Sequence, residues 1–525
     1  MLMSKLEPTP CDYSRLPPEL WGLVIERMLR TDQRSCLSVS AAFRALARPL
    51  VFSRIVIHVG LWRTQELNWH GHTESELQLI KWRNIAATEI LQYIARDAQF
   101  AWLVKTLSVL TYQRGPDGQS DPDFTGSFLA ALYDIVTSDH IPQAHIVGAL
   151  ESLPHLRSFQ WYGFRPPLSS SILDTLVRTT GSSLTELDIS GVVGLMEDAS
   201  PYLAQFKNLQ TLSLAGNSNH FPISTGYGGD SEAILTTCAQ HVPDNLRHLS
   251  LWRDAVWATP LRAFSGLHEL SVMNPRSLDR LGVLFARCTQ LRSLAITAGG
   301  ANCESEVLAV LQAAPDALPH LTMFKLVLWG EAFVTDPSAF IAFFQNKKGM
   351  RQLDLSLNYS FALDDMDTYT RFLDVFARLP QLEVVGLELQ GEGFYSEHMR
   401  LLDERLPLGL TGLLLKWSFP SVEATLVEQN WANMLKKRPS LRYFHVLDRV
   451  QNLDLRDQLL QDHWWDLRLV GYGAQIRSIE RDQATGESVY GPPWSDAAIA
   501  FELAEDFGCK DWVWLLQYHD WDKLR

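Results

Sequence analysis

Apolar residues recur along this chain in a six-residue frame, apolar-x-x-apolar-x-apolar. Leu-Thr-Glu-Leu-Asp-Ile fills 184–189, Leu-Gln-Thr-Leu-Ser-Leu 209–214, Leu-Arg-His-Leu-Ser-Leu 246–251 and Leu-Arg-Ser-Leu-Ala-Ile 291–296. The frame also fits Leu156/Phe159/Trp161, Leu267/Leu270/Val272, Leu321/Phe324/Leu326 and Met350/Leu353/Leu355. It continues at Leu382/Val385/Leu387, Leu410/Leu413/Leu415 and Leu441/Phe444/Val446, and a weaker copy sits at Val104/Leu107/Val109. From Leu156 to Leu441, ten intervals cover 285 residues, or about 28 residues each.

The spacing has a direct physical meaning. The last two apolar positions are two residues apart, so they point to one side of a short strand. The first turns the chain into that strand, and the residues between face the other way. Helical periodicity fills the intervals, as at Ile172–Val177, Ala233–Ala239, Leu278–Ala286, Val307–Ala313 and Phe372–Leu379. Proline ends some of these helices, as in Leu379-Pro380 and Arg438-Pro439. One such frame is weak evidence, because Leu is common; eleven at near-regular spacing are strong. The unit resembles the leucine-rich repeat. It predicts an α/β solenoid, a horseshoe with parallel strands inside and helices outside. The closing Asn of the consensus is clear only at Asn217, and the interval before Leu246 is the longest, so the horseshoe is expected to be irregular.

A different pattern precedes the array. Leu20, Leu23, Val24 and Met28 follow helical spacing after Pro17 and Pro18, which suit a helix start. Thr31-Asp32 can cap a second helix carrying Leu37 and Val39, and Ala41 to Ala47 forms a third that Pro49 is expected to stop. Phe52 to Val59 alternates as a strand, and Glu74 to Ala98 reads as a long helix. Three short helices make a core too small to stand comfortably alone.

These residues resemble the F-box. Leu16-Pro17-Pro18-Glu19-Leu20 is similar to the family's opening; Asp32, Cys36-Leu37 and Val39-Ser40 to its middle; Phe43-Arg44, Leu46, Ala47 and Pro49-Leu50-Val51-Phe52 to its end. The close is similar to that of fungal members in particular, and Phe43 stands where many members carry Trp. The resemblance covers about 45 residues, and an F-box followed by leucine-rich repeats is a familiar arrangement. It implies docking onto a Skp-type adaptor, and through it a cullin, in an SCF-type ubiquitin ligase. On that basis Leu16, Pro17, Pro18, Leu20, Val24, Ile25, Leu29, Leu37 and Val39 would make or support the adaptor contact. The alternative is a helical cap that only covers the first repeat.

Charge fits that picture. The whole chain carries −14, spread along its length, which argues against nucleic acid as a main ligand. The module alone has seven arginines (15, 27, 30, 34, 44, 48, 54) against Glu19, Glu26 and Asp32, a balance of +4 that would favour an acidic partner. The six cysteines (11, 36, 238, 288, 303, 509) show no metal or disulfide spacing and read as reduced thiols. Residues 1–15 lack the apolar core of a signal peptide, and no run of 18 apolar residues occurs, so no membrane span is expected. The expected compartment is cytoplasm or nucleus, where the sequon at Asn358 carries little weight.

No catalytic constellation appears. His-Glu-x-x-His, Gly-x-Ser-x-Gly and a phosphate-binding Gly-Lys loop are missing, and no cofactor or metal is expected. Gly226-Tyr227-Gly228-Gly229-Asp230 reads as a loop, as does Gly115 to Pro122; Asp462-His463-Trp464-Trp465-Asp466 reads as charge pairing near a cap. Trp464, Trp465, Trp494, Trp512, Trp514 and Trp521 crowd the C-terminal end. They suggest a cap sealing the array, or else an aromatic recognition surface. The inner strand face is the candidate surface for an unknown target protein, with His248, Trp252, Met273, Lys325, Asp354, Glu388, Lys416 and His445 as candidate contacts.

The expected organisation is a flexible start (1–13), the F-box-like module (14–60) and a helical linker with the first weak repeat (61–150). The repeat array (151–450) and a C-terminal cap (451–525) follow. The expected function is target recognition for a ubiquitin ligase; the alternative is a leucine-rich-repeat interaction scaffold with no ligase role.

Overall fold

The structure is a computed structural model. It describes residues 16–28, 30–59, 74–110, 143–162, 168–190, 199–214, 229–299, 302–328, 336–357, 365–390, 396–418, 424–448, 459–460, 466–473, 475–482, 485, 487–494 and 509–519. Leu29, Asn217, Asn358, the loop 115–122, residues 226–228 and residues 462–465 lie outside them.

Among the described residues, sixteen strands form one sheet whose spatial order is the chain order. They are β1 (Arg54–His58), β2 (Thr106–Leu110), β3 (Ser158–Tyr162), β4 (Glu186–Ser190), β5 (Thr211–Leu214), β6 (His248–Trp252), β7 (Glu269–Met273) and β8 (Ser293–Ala298). Then come β9 (Met323–Leu328), β10 (Gln352–Ser356), β11 (Val384–Gln390), β12 (Gly412–Ser418), β13 (Tyr443–Asp448), β14 (Leu469–Tyr472), β15 (Gln475–Arg481) and β16 (Ser488–Pro493). Strands β1 to β14 are parallel, and β14, β15 and β16 pair antiparallel. An open parallel sheet with helices on one side is a leucine-rich-repeat-type solenoid.

In all twelve frames, the weak one included, the last two apolar positions lie in strands β2 to β13, and the second positions align across the ladder. Leu107 pairs Phe159, Phe159 pairs Leu187, Leu187 pairs Leu212, and the row runs on to Leu413 and Phe444. The residues at these positions are buried in one continuous core. Burying each side chain stabilises by about 1.5–3 kcal/mol relative to exposure, and a one-residue slip would turn the whole row outward. That penalty locks the register. Leu467/Val470/Tyr472 is a further copy of the frame, unnoticed in the sequence, and Val470 extends the row by pairing Phe444.

The helices stack on the outside. Gln143–Glu151 packs on Ser170–Thr180, and Cys303–Ala313, Ser338–Phe344, Met366–Ala377, Ser396–Arg405 and Ala424–Lys436 pack in series. Arg438, itself buried, ties the last two together: it donates to Asp403 Oδ1 at 2.9 Å and to the Leu406 carbonyl at 3.0 Å.

In front of the sheet stand α1 (Pro18–Glu26), α2 (Arg30–Val39) and α3 (Ala41–Val51). Pro17 is extended and Pro18 opens α1, where a missing N–H costs nothing. Ser40 caps α3, accepting from Phe43 N at 3.1 Å. Two expectations are corrected. Helix α2 begins at Arg30, ahead of the expected Thr31-Asp32 cap, and Pro49 does not stop α3. Pro49 lies in the last turn, where Phe52 N–H still reaches the Arg48 carbonyl at 3.1 Å, so the turn closes around it. Helix α4 (Glu74–Arg96) then packs on β1 and on Gln143–Glu151.

Candidate functional site

Two surfaces collect the residues singled out by sequence. The first is α1. Leu20, Leu23 and Val24 follow i, i+3, i+4 spacing, and all three are exposed, Leu23 at 54%. Leu16, Pro17 and Pro18 at the helix entry are exposed too, as is Val39 at the end of α2. Ile25 points the other way. It is fully buried with Cys36 and Ala47, and Met28, Leu37, Phe43, Leu46 and Leu50 pack around them. The nine residues implied by the F-box resemblance therefore divide: six are exposed, Leu37 is half-buried, Ile25 is core, and Leu29 is outside the described residues. The module is coupled to the array through Arg30, whose Nη2 donates to the carbonyls of Val51 at 3.1 Å and Arg54 at 2.8 Å.

The second surface is the inner face of the sheet. Parallel register places ionisable residues of neighbouring strands side by side, and three such pairs lie among the described residues. His248 on β6 lies 3.1 Å from Glu269 on β7; Lys325 on β9 lies 2.8 Å from Asp354 on β10; Lys416 on β12 lies 2.7 Å from Glu388 on β11. All eight expected inner-face residues belong to these strands and β13.

The face is not open along its whole length, so the eight candidate contacts are not equally accessible. Gln160, Tyr162, Glu186, Asp188, Thr211, Ser213, His248 and Trp252 on β3 to β6 are partly exposed. Met273, Lys325, Asp354, Glu388 and His445 are buried, and Lys416 nearly so. Over Lys325 and Asp354 lie the C-terminal helix Lys510–Leu516 and its continuation to His519. Trp512 stacks on Tyr443 with ring centroids 5.7 Å apart. Trp512, Val513, Leu515 and Leu516 share one apolar cluster with Val384, Leu414, Tyr443, Leu447 and Leu469 of the inner face. Gly412 leaves room for the indole, since a Cβ there would stand 3.3 Å from Trp512 Cδ1.

Beneath the helix, Lys325 donates to the carbonyls of Leu515 at 2.9 Å and Gln517 at 2.8 Å, as well as to Asp354. Three ammonium protons thus meet three oxygens. Asp354 also accepts from Ser356 Oγ at 2.8 Å and from His519 Nε2 at 2.9 Å. Burial pushes the Asp354 carboxyl up, but Lys325 and His519 together outweigh that and hold it below the usual carboxylate range. His519 is held below the usual imidazole range by burial, against the pull of Asp354. At the start of the helix, Asp511 Oδ1 accepts from Gln352 Nε2 at 2.6 Å. Tyr518 donates to Ser271 Oγ at 3.2 Å. Nearby, His445 Nε2 lies 2.8 Å from the Gly473 carbonyl, so it must donate, and the bare Nδ1 accepts from the Tyr443 hydroxyl at 2.7 Å. Burial pushes His445 down to about 3, in keeping with a neutral ring.

The segment expected as a cap therefore does two things. Strands β15 and β16 close the end of the sheet, and the tryptophan-bearing helix turns back onto the inner face. Sequence reasoning missed the second. The available signal was apolar residues at inner-face positions, namely Val327, Val384, Leu414, Leu447 and Leu469, where β3 to β6 carry mostly polar ones.

Among the described residues, no group of three or more His, Cys, Asp or Glu could hold a metal ion, and no helix is long and apolar enough to cross a membrane. Cys36, Cys288 and Cys509 are free thiols. Leucine-rich-repeat solenoids as a class present binding surfaces and typically lack catalytic activity.

No protein-family model matches the sequence. Nor does any curated protein match it. Solved structures do. The leucine-rich repeat-containing protein LegL7 from Legionella pneumophila is 18% identical, with a TM-score of 0.30, over 58% of this chain and 87% of that one. A structure of the yeast Rad7 and Elc1 complex matches at 15% identity and TM-score 0.38, over 68% and 73%. An internalin (inlF) from Listeria monocytogenes matches at 13% and 0.30, over 79% and 93%.

Proposed function

We propose that this chain is a target-recognition subunit of an SCF-type ubiquitin ligase. Helix α1 docks a Skp-type adaptor, and through it a cullin, while the open inner face of β3 to β6 holds a target protein. The observation that carries the reading is the outward apolar row Leu20, Leu23 and Val24 beside exposed Leu16, Pro17 and Pro18. Apolar side chains on one face of a short helix, turned away from the core around Ile25, suit docking to a partner. The F-box-like sequence names the kind of partner, and the arginine excess of the module suits an acidic one. The chain would do no chemistry; it would raise the concentration of target lysines near a transferring enzyme.

The test is co-purification of the adaptor with wild type and with a Leu16→Ala/Pro17→Ala variant. The adaptor is expected with wild type only. Equal recovery with both, or none with wild type, would leave the chain as a leucine-rich-repeat interaction scaffold without a ligase role.

A further inference from the structure

The segment from Lys510 to His519 lies along the inner face of the array. The core under the repeat helices is complete without it, and the parallel ladder from β6 to β14 needs no strand from it. Its polar partners Ser271, Lys325, Gln352 and Asp354 are inner-face positions of β7 to β10, and its apolar cluster runs from Val384 on β11 to Leu469 on β14 and Ile476 on β15. Lys325 reads main-chain carbonyls at the end of the helix, where the backbone dipole favours a cation. Gln352 reads the acid at its start, and Arg351 lies 3.7 Å from that acid. An indole and a leucine one turn apart, Trp512 and Leu516, fill the apolar floor between. The exit is strained: Tyr518 has φ 73°, a left-handed conformation that a non-glycine residue keeps only when contacts on both sides hold it. Those contacts are Tyr518 to Ser271 and His519 to Asp354.

We propose that the inner-face groove over β7 to β13 is a peptide-docking site, shut in cis by residues 510–519. A partner enters it with a helical turn of the same chemistry: an acid, then an indole and a leucine four residues apart, then free carbonyls for Lys325. The resident segment must leave first, so it sets the apparent affinity through the fraction of molecules in which it is undocked. This inference stands apart from the adaptor reading, because it involves neither α1 nor the open half of the inner face.

The test uses full-length protein and a fluorescent synthetic peptide spanning residues 510–519. Wild type is compared with a Trp512→Ala/Leu516→Ala variant, which weakens the resident segment and leaves the groove intact. A third protein adds Lys325→Met. The double variant is expected to bind the peptide at least about tenfold tighter than wild type, and Lys325→Met to remove that gain. Hydrogen exchange on the same proteins is expected to show amides 512–517 opening ahead of β9 to β12, and faster in the double variant, with strand protection unchanged. Equal binding by wild type and double variant would overturn the proposal. So would loss of strand protection in the double variant, which would make the segment part of the core. Concentration-dependent dimers of wild type would overturn the cis assignment in favour of a second copy.

Discussion

Asp354 on β10 and His519, 165 residues further along the chain, share a hydrogen bond of 2.9 Å inside the protein. Lys325 completes the cluster, and all three side chains are shut off from water. Breaking one partner of a buried ion pair typically costs about 3–5 kcal/mol, because it strands the other charge. Asp354→Leu is therefore expected to destabilise on that scale in urea unfolding. Adding Lys325→Met should recover part of the loss. If the double substitution is as costly as the sum of the single ones, the two residues are not coupled.

Acid should weaken the fold through its buried histidines. His445 is held at about 3 by burial, against about 6.5 in an unfolded chain. A depressed value means that the unfolded state binds the proton first. Stability is then full above about pH 6.5 and falls toward pH 3, by up to about 1.4 kcal/mol per pH unit for this ring. His519 shifts in the same direction. Thermal melts from pH 7 to 4.5 should show the decline, and His445→Gln should flatten it. An unchanged slope in that variant would contradict the assignment.

Glycine is expected to be indispensable only where a side chain sits over it. A Cβ on Gly471 would overlap the His445 ring, so Gly471→Ala should cost about 1–3 kcal/mol. Gly349 has open space around it, so Gly349→Ala should be neutral or slightly stabilising, within about 1 kcal/mol. Melting temperatures of the two variants decide the matter.

Two substitutions on α1 should behave oppositely. Leu23 is exposed and Ile25 is buried. Leu23→Glu should change stability by no more than about 0.5 kcal/mol yet abolish adaptor capture. Ile25→Ala should cost about 2–5 kcal/mol and loosen the module as a whole. Circular dichroism melts and adaptor pull-down, run together, separate surface from core.

The repeats were legible because their information is local. Leu184, Leu187 and Ile189 announce a strand and its buried side within six residues, and the structure repeats that solution down the sheet. The outward turn of α1 was harder to read. Helical spacing shows that Leu20, Leu23 and Val24 share a face, but not whether that face meets a core; Ile25 takes the interior, packed with Cys36 and Ala47. The docked C-terminal helix left little local trace. Lys325 and Leu515 are 190 residues apart in sequence, and a lysine on an inner strand face reads as solvated until the carbonyls that hold it are seen. The tryptophans crowd the C-terminal sequence, but nothing in their spacing says which surface they cover.

The junction between module and array has a mechanical consequence. Only Phe52 and Ser53 separate α3 from β1, and Arg30 of α2 grips the carbonyls on either side of them. A tether of many residues would let two bound bodies sample each other through diffusion, with proximity set by chain length. A clamp of this kind transmits direction instead. Whatever α1 is fixed to inherits the bearing of the horseshoe as a lever arm does, and reach is then fixed by the number of repeats between β1 and the occupied strand.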